Sequence, residues 1–276
     1  MDLRHHTILI TGGTSGLGFE FARQLLALGN TVLITGRDSA KLAATKQLLP
    51  QVHTFQSDVR NPADIAQLHE QVLAQFPALD VLINNAGEMR KLNLNDPALD
   101  LLDLTREVEI NLLGPIRMVQ QFLPHLKAQK AAAILNVTSG LALTPFPLTP
   151  MYGASKAGLR SYTKSLRVQL QHTPVRVFEL VAPAAKTPLA DRLGTTSGLM
   201  APDKLVAAAL RAVRHDQPEA YPGLAKVIRF VSWLTPQFLL GQLGKLVEKE
   251  YGQPQAVLGQ PPQTGAPGNY PFFATK

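Results

Sequence analysis

The chain predicts an α/β fold: a doubly wound parallel β-sheet with helices on both faces. Three observations carry this. Short apolar runs such as Thr7-Ile8-Leu9-Ile10 and Ile134-Leu135-Asn136-Val137 read as strands buried on both faces. Amphipathic helical stretches separate successive runs, and such alternation gives a parallel sheet because right-handed crossovers are favoured. A glycine-rich turn, Thr11-Gly12-Gly13-Thr14-Ser15-Gly16-Leu17-Gly18, leads from the first strand directly into the first helix.

In order, strands are expected at about 7–11, 31–35, 52–56, 80–83, 131–138 and 174–181, with helices starting near Gly16, Ser39, Pro62, Ala98 and Met151. The first strand and its turn run into the amphipathic stretch Phe19 to Leu28. Val32-Leu33-Ile34-Thr35 is followed by Gly36-Arg37-Asp38, where Asp38 is suited to cap the next helix. Val52-His53-Thr54-Phe55 leads to Asp58-Val59, and Val81-Leu82-Ile83 leads to Asn84-Asn85-Ala86-Gly87. A long helical segment then carries Asn111. The strand ending Val137-Thr138-Ser139-Gly140 delivers Ser139 to the carboxyl edge of the sheet, where ligands bind in open α/β folds. Leu224 to Lys249 reads as two amphipathic helices joined at Thr235-Pro236; Arg229, Pro236 and Lys245 argue against a membrane-spanning helix.

The chemistry concentrates at two places. Tyr152 and Lys156 are one helical turn apart, so the ammonium can approach the phenol oxygen and lower its pKa. Tyrosine is a poor base at its ordinary value of about 10, and a nearby cation with an oxidised nicotinamide favours the phenolate. Ser139 is placed to hydrogen-bond a substrate oxygen that gains or loses the proton. At the amino end, the strand, the turn and the following helix form a dinucleotide cradle. There Gly12, Thr14, Ser15, Gly16, Leu17 and Gly18 bring backbone N–H groups and the helix dipole toward a pyrophosphate.

The Thr-Gly-x-x-x-Gly-x-Gly spacing of that turn is the variant found in short-chain dehydrogenases/reductases. The chain resembles that family over roughly residues 5–190, with several motifs in the expected order. The resemblance implies a Rossmann-type fold, a nicotinamide-dependent hydride transfer and an Asn-Ser-Tyr-Lys tetrad made of Asn111, Ser139, Tyr152 and Lys156. It implies that Asn85, Ala86 and Gly87 stabilise the central sheet and border the cofactor, and that Asp58 and Val59 lie near the adenine ring. Asn111 would hold a water beside the lysine through its carbonyl, and Lys156 would also hold the nicotinamide ribose. One motif departs from the family pattern. Val181-Ala182-Pro183-Ala184-Ala185-Lys186-Thr187 stands where relatives commonly carry Pro-Gly, and Pro183 has no N–H. Thr187 and the backbone of Ala185 are still expected to reach the carboxamide. Thr35-Gly36-Arg37-Asp38 looks like the DltE-like subgroup of reductases.

NADP is the expected cofactor, with NAD as the alternative. NAD-preferring folds place an acid at the end of the second strand, whereas here Gly36 occupies that position and Arg37 follows with a fork suited to phosphate. Asp38 keeps NAD open should it turn toward the ribose. The largely apolar segment Leu141 to Leu148 predicts a neutral or hydrophobic carbonyl or alcohol substrate, contacted by Ser139, Leu141, Phe146 and Tyr152. A non-catalytic dinucleotide-binding sensor or scaffold is the alternative class, but it would not need all four tetrad residues.

Length and composition fit one domain: 276 residues, 45% hydrophobic. Residues 1–250 are expected to form it, with 188–250 supplying a substrate loop and carboxy-terminal helices. Residues 251–276 read as a Pro/Gly-rich tail without a core, its end tethered through Phe272 and Phe273. The segment 187–246 is expected to close over the substrate as a lid, mobile at Gly194 to Gly198. The competing reading sets Phe230, Trp233, Leu234 and Phe238 against another subunit or a bilayer. Cysteine is absent, which excludes disulfides and is compatible with a cytoplasmic location. Seven histidines show no metal-ligand spacing, so no metal is expected. No apolar run precedes the first strand, so no secretory signal is expected. The net charge of +7 is dispersed and fits an anionic cofactor, not nucleic acid. A homo-oligomer, dimer or tetramer, is expected, with peripheral membrane contact less favoured.

Overall fold

The computed structural model describes residues 2–191 and 198–252. Its strands are β1 (Thr7–Thr11), β2 (Thr31–Gly36), β3 (His53–Gln56), β4 (Leu79–Asn84), β5 (Ala132–Ser139), β6 (Val175–Ala182) and the short β7 (Glu219–Ala220). They form one sheet in the order β3-β2-β1-β4-β5-β6-β7, every pair parallel. The helices are α1 (Gly16–Ala27), α2 (Ser39–Leu48), α3 (Pro62–Gln75), α4 (Leu101–Val108), α5 (Gly114–Ala128), α6 (Pro150–Gln169), α7 (Pro188–Asp191), α8 (Pro202–Arg214), α9 (Leu224–Leu234) and α10 (Pro236–Tyr251). A π-helical turn (Glu109–Leu113) joins α4 to α5, and a 3-10 turn (Gly140–Ala142) follows β5.

The strand centres carry apolar residues on successive positions because they serve two cores. Ile8 and Ile10, Val32 and Ile34, and Val81 and Ile83 pack on one face with Phe21, Leu25, Leu205 and Val206 from α1 and α8. Leu9, Leu33, Leu82 and Ile134 point the other way, against Leu68, Val72, Met118 and Phe122 of α3 and α5. Period-two side chains on strands wrapped by helices from both sides produce this division. Caps fix the helix starts. Asp38 accepts from the Lys41 amide at 3.1 Å and Asn61 from the Ala63 amide at 3.0 Å.

The structure corrects four expectations. The fourth helix starts at Leu101 rather than near Ala98, because Asp100 caps it through the Asp103 amide at 2.8 Å. Asp96 instead accepts from the Ala98 amide at 2.9 Å in a turn. Asn111 lies in the π turn rather than in regular α-helix. β7 extends the sheet beyond the six expected strands. Finally, α8 belongs to the core layer, with Leu205, Val206, Ala209, Leu210 and Val213 buried, so much of 187–246 is wall and not lid. The expected mobile stretch falls largely at 192–197, and the expected tail at 253–276; both lie outside the described residues.

Candidate active site

β1 sits between β2 and β4, so the chain reverses direction across the sheet there and leaves a crevice at the carboxyl ends of the strands. A cleft of about 630 Å³ opens at this place. Gly12, Thr14, Ser15, Gly16 and Leu17 line one end with Arg37, Asp58 and Val59; Asn85, Ala86 and Gly87 form its floor. Ser139, Leu141, Phe146, Tyr152 and Lys156 line the other end, with Ala185 and Thr187 nearby.

The expected contacts Gly18 and Asn111 are the exceptions, and both lie behind the wall. A Cβ on Gly18 would fall 2.2 Å from the Gly12 carbonyl oxygen and 2.5 Å from Asn85 Nδ2, so glycine lets α1 press onto the strand ends instead of touching a ligand. Asn111 is fully buried. Its Oδ1 accepts from the Glu88 amide at 2.8 Å, and its Nδ2 donates to the Glu88 carbonyl at 2.8 Å and to Ser155 Oγ at 3.1 Å. Ser155 Oγ donates in turn to the Tyr152 carbonyl at 2.8 Å, so the asparagine side chain ties the π turn to α6.

Two polar lacings set the geometry. Thr11 Oγ1 accepts from the amides of Asn85 at 3.0 Å and Ala86 at 3.1 Å. Asn85 Nδ2 returns bonds to the carbonyls of Thr11 at 3.0 Å and Gly12 at 3.1 Å, joining β1 to the end of β4. Deeper in, Asn84 Nδ2 donates to Asn136 Oδ1 and Asn136 Nδ2 to Thr163 Oγ1, each at 2.9 Å. This buried chain aligns β4, β5 and α6, the helix that carries Tyr152 and Lys156.

The residues fit a dinucleotide. Gly12 has φ +67°, and a Cβ there would meet Ala86 Cα at 2.8 Å, so the turn stays tight and open to a ligand. Ser15, the first residue of α1's cap, makes no side-chain cap, leaving the first-turn N–H groups available to an anion. Asp38 is engaged as a cap, which leaves Arg37 and Lys41 as the cations lining that end of the cleft. Asp58 binds Arg60 through both carboxylate oxygens, with Nε at 3.1 and 3.0 Å. Burial raises its pKa, but the Arg60 hydrogen bonds and charge win and hold it below the usual value.

At the far end, Lys156 Nζ donates to the Val137 carbonyl at 2.8 Å and lies 5.9 Å from the Tyr152 ring centroid. Burial pushes Lys156 down to about 8. Burial also pushes Tyr152 up to about 12, opposed by a hydrogen bond with Ser139 and reinforced by the charge of Glu107. The expected lowering of the tyrosine by the lysine is therefore corrected: in the protein alone, desolvation dominates.

Sequence reasoning missed Glu107. It is fully buried on α4, one turn before Asn111, and neither carboxyl oxygen makes a hydrogen bond of good geometry. Burial pushes it up to about 7, while the Arg90 amide and guanidinium pull the other way, Glu88 adds to the rise and Arg106 opposes it. A glutamate at i−4 from a buried asparagine was the available signal. Met89, Leu199 and Ile228 also line the cleft unexpectedly, the last from α9. Phe230, Trp233 and Leu234 of the same helix are exposed and do not face it.

Comparison with known proteins agrees with this geometry. The family model for short chain dehydrogenase matches residues 6–198. An uncharacterized oxidoreductase DltE of Bacillus subtilis is 42% identical over 199 residues, covering 72% of this chain and 79% of that protein. A fatty acyl-CoA reductase of Acinetobacter baylyi is 30% identical over 192 residues; the match covers 68% of this chain and only 65% of that enzyme's length. A short chain dehydrogenase from Burkholderia cenocepacia solved in complex with NADP superimposes with a TM-score of 0.78 at 27% identity, covering 88% of this chain and 99% of that one. Among the described residues no helix is long and apolar enough to cross a membrane. A parallel sheet with its crevice at the reversal point, matched over most of its length by the family model, makes this chain a member of the short-chain dehydrogenase/reductase family and an NAD(P)-dependent oxidoreductase.

Proposed function

We propose that the protein interconverts a neutral, hydrophobic carbonyl compound and its alcohol, with NADP as the preferred cofactor. The observation that carries this reading is the convergence of Ser139, Tyr152 and Lys156 at one end of a cleft whose other end is a glycine cradle bordered by Arg37 and Lys41. When bound, the nicotinamide supplies or accepts the hydride. The chain's own residues manage the proton. Tyr152, held up to about 12 by burial, stays protonated at neutral pH and donates its phenolic proton to the oxygen of a carbonyl as that oxygen gains charge. Ser139, whose hydroxyl lowers the pKa of the neighbouring phenol, orients and polarises the same oxygen. Lys156 places a cation beside the ring and stabilises the phenolate left behind. Asn111 holds the π turn and α6 in register from behind the wall, and its carbonyl would hold a relaying water.

Leu141, Phe146, Met89, Leu189, Leu199 and Ile228 surround the substrate end, so an apolar chain loses less on entry than a charged one. The relative named a fatty acyl-CoA reductase supports the same substrate class. Arg37 would take the 2′-phosphate of NADP, with Lys41 beside it, while Asp38 caps α2 through Oδ1 and lies 3.9 Å from the Lys41 ammonium through Oδ2. The test is NADPH oxidation with a panel running from long-chain aldehydes and ketones to short keto acids. Turnover of the apolar members is expected. Absence of turnover with every carbonyl, or a preference for the charged keto acids, overturns the reading.

A further inference from the structure

Surface helices ordinarily turn their apolar side inward. α9 is apolar on its outer side as well. Its inner side presents Ala225, which is buried, and Ile228, which reaches the cleft. Its outer side presents Val227, Phe230, Trp233 and Leu234, with Trp233 77% and Phe230 61% exposed. Lys226 lies on that outer side, and Arg229 flanks it with its guanidinium stacked 4.5 Å from the centroid of the Tyr221 ring. Between Tyr221 and Val247 the chain carries Lys226, Arg229 and Lys245 and no carboxylate.

This charge pattern discriminates between occupants. A second copy packed about a twofold axis would bring the same apolar face and the same lysine and arginine, with no acid on the helix to meet them. An anionic lipid surface offers both an apolar layer and a negative charge. Aromatic rings with flanking cations suit the boundary between headgroups and acyl chains. We propose that α9 docks the enzyme on an anionic bilayer surface, laying Phe230, Trp233 and Leu234 into the interface while Lys226 and Arg229 meet the headgroups. The helix lies on the membrane and does not cross it. Because the opposite side of α9 borders the cleft through Ile228, docking brings the mouth of the site close to the lipid.

The chain contains a single tryptophan, Trp233, so its emission reports on this face alone. The full-length protein is titrated with vesicles of phosphatidylglycerol and phosphatidylcholine, without cofactor or substrate, so the outcome is independent of the proposed reaction. A blue shift with phosphatidylglycerol vesicles, absent with pure phosphatidylcholine and reversed by salt, is expected. Replacing both cations in the pair Lys226→Gln and Arg229→Gln should weaken partition about 30-fold, from about 1 kcal/mol per cation near an anionic surface. Phe230→Ser with Leu234→Ser should remove the shift while leaving NADPH turnover of a water-soluble aldehyde unchanged. Three results overturn the proposal: no shift with anionic vesicles, an equal shift with neutral ones, or a shift that grows with protein concentration when no vesicles are present. The last would assign the face to a second copy of the chain.

Discussion

Glu107→Gln should make the protein more stable at neutral and alkaline pH and leave it nearly unchanged in acid. In the folded chain burial favours the protonated carboxyl and moves its pKa from 4.5 to about 7. A raised folded value means that the stabilising contribution is complete below the unfolded value and is lost as pH rises through the folded one. The loss accumulates between pH 4.5 and about 7, after which the folded protein carries a buried carboxylate. The displacement corresponds to about 3 kcal/mol. Full burial of the side chain justifies using most of that figure. Glutamine keeps the volume and one acceptor but never ionises, so the variant avoids the cost. Urea unfolding at about pH 5 and about pH 8.5 should show a stability gap that grows with pH by about 2–3 kcal/mol. A gap independent of pH, or a variant weaker than wild type in alkali, would refute the assignment of a protonated buried acid.

Tyr152→Phe should lower turnover about 10²–10⁴-fold while cofactor binding stays intact, and a Phe variant with normal steady-state rates would sink the proposed proton transfer. Arg37→Ala should weaken NADP binding about 10–100-fold with little effect on NAD, read by calorimetric titration; unchanged NADP affinity would send the 2′-phosphate elsewhere. Gly18→Ala must displace the Gly12 carbonyl or Asn85, which lie 2.2 and 2.5 Å from the new methyl, and should cost about 1–3 kcal/mol in thermal or urea unfolding. A neutral result would mean that α1 is free to slide.

The parts of the molecule that repeat locally were legible in the sequence. Ile8, Leu9 and Ile10 are apolar because the strand is covered twice, and that pattern alone assigns it to the middle of a parallel sheet. Asp38 could be read as a cap because capping depends on near neighbours. The start of α4 was not, since Asp96 and Asp100 are equally good candidates and only the tertiary fold separates them. Periodicity marked 224–234 as amphipathic but is silent on which side the body covers; Ala225 and Ile228 face the body while Val227, Phe230, Trp233 and Leu234 stay uncovered. The rise of the Tyr152 pKa in the protein alone was not legible for a similar reason. Spacing puts a lysine next to a tyrosine, but desolvation is a property of everything around them. Ile228 enters the cleft from a helix far along the chain, and nothing near Ser139 or Tyr152 announces it.

The Thr11–Asn85 lacing has a kinetic consequence. Its bonds run entirely between protein groups, so the wedge between β1 and β4 is already braced before any nucleotide arrives. The nucleotide therefore meets a finished seat and has little chain to order on arrival. The opposite end of the cleft is framed by α7, α9 and the turn after β5, elements joined to the sheet by packing rather than by such a clasp. A molecule entering there would gain its remaining wall from a bound nicotinamide. The expected order of events therefore has the nucleotide arrive first and leave last, with the substrate coming and going between.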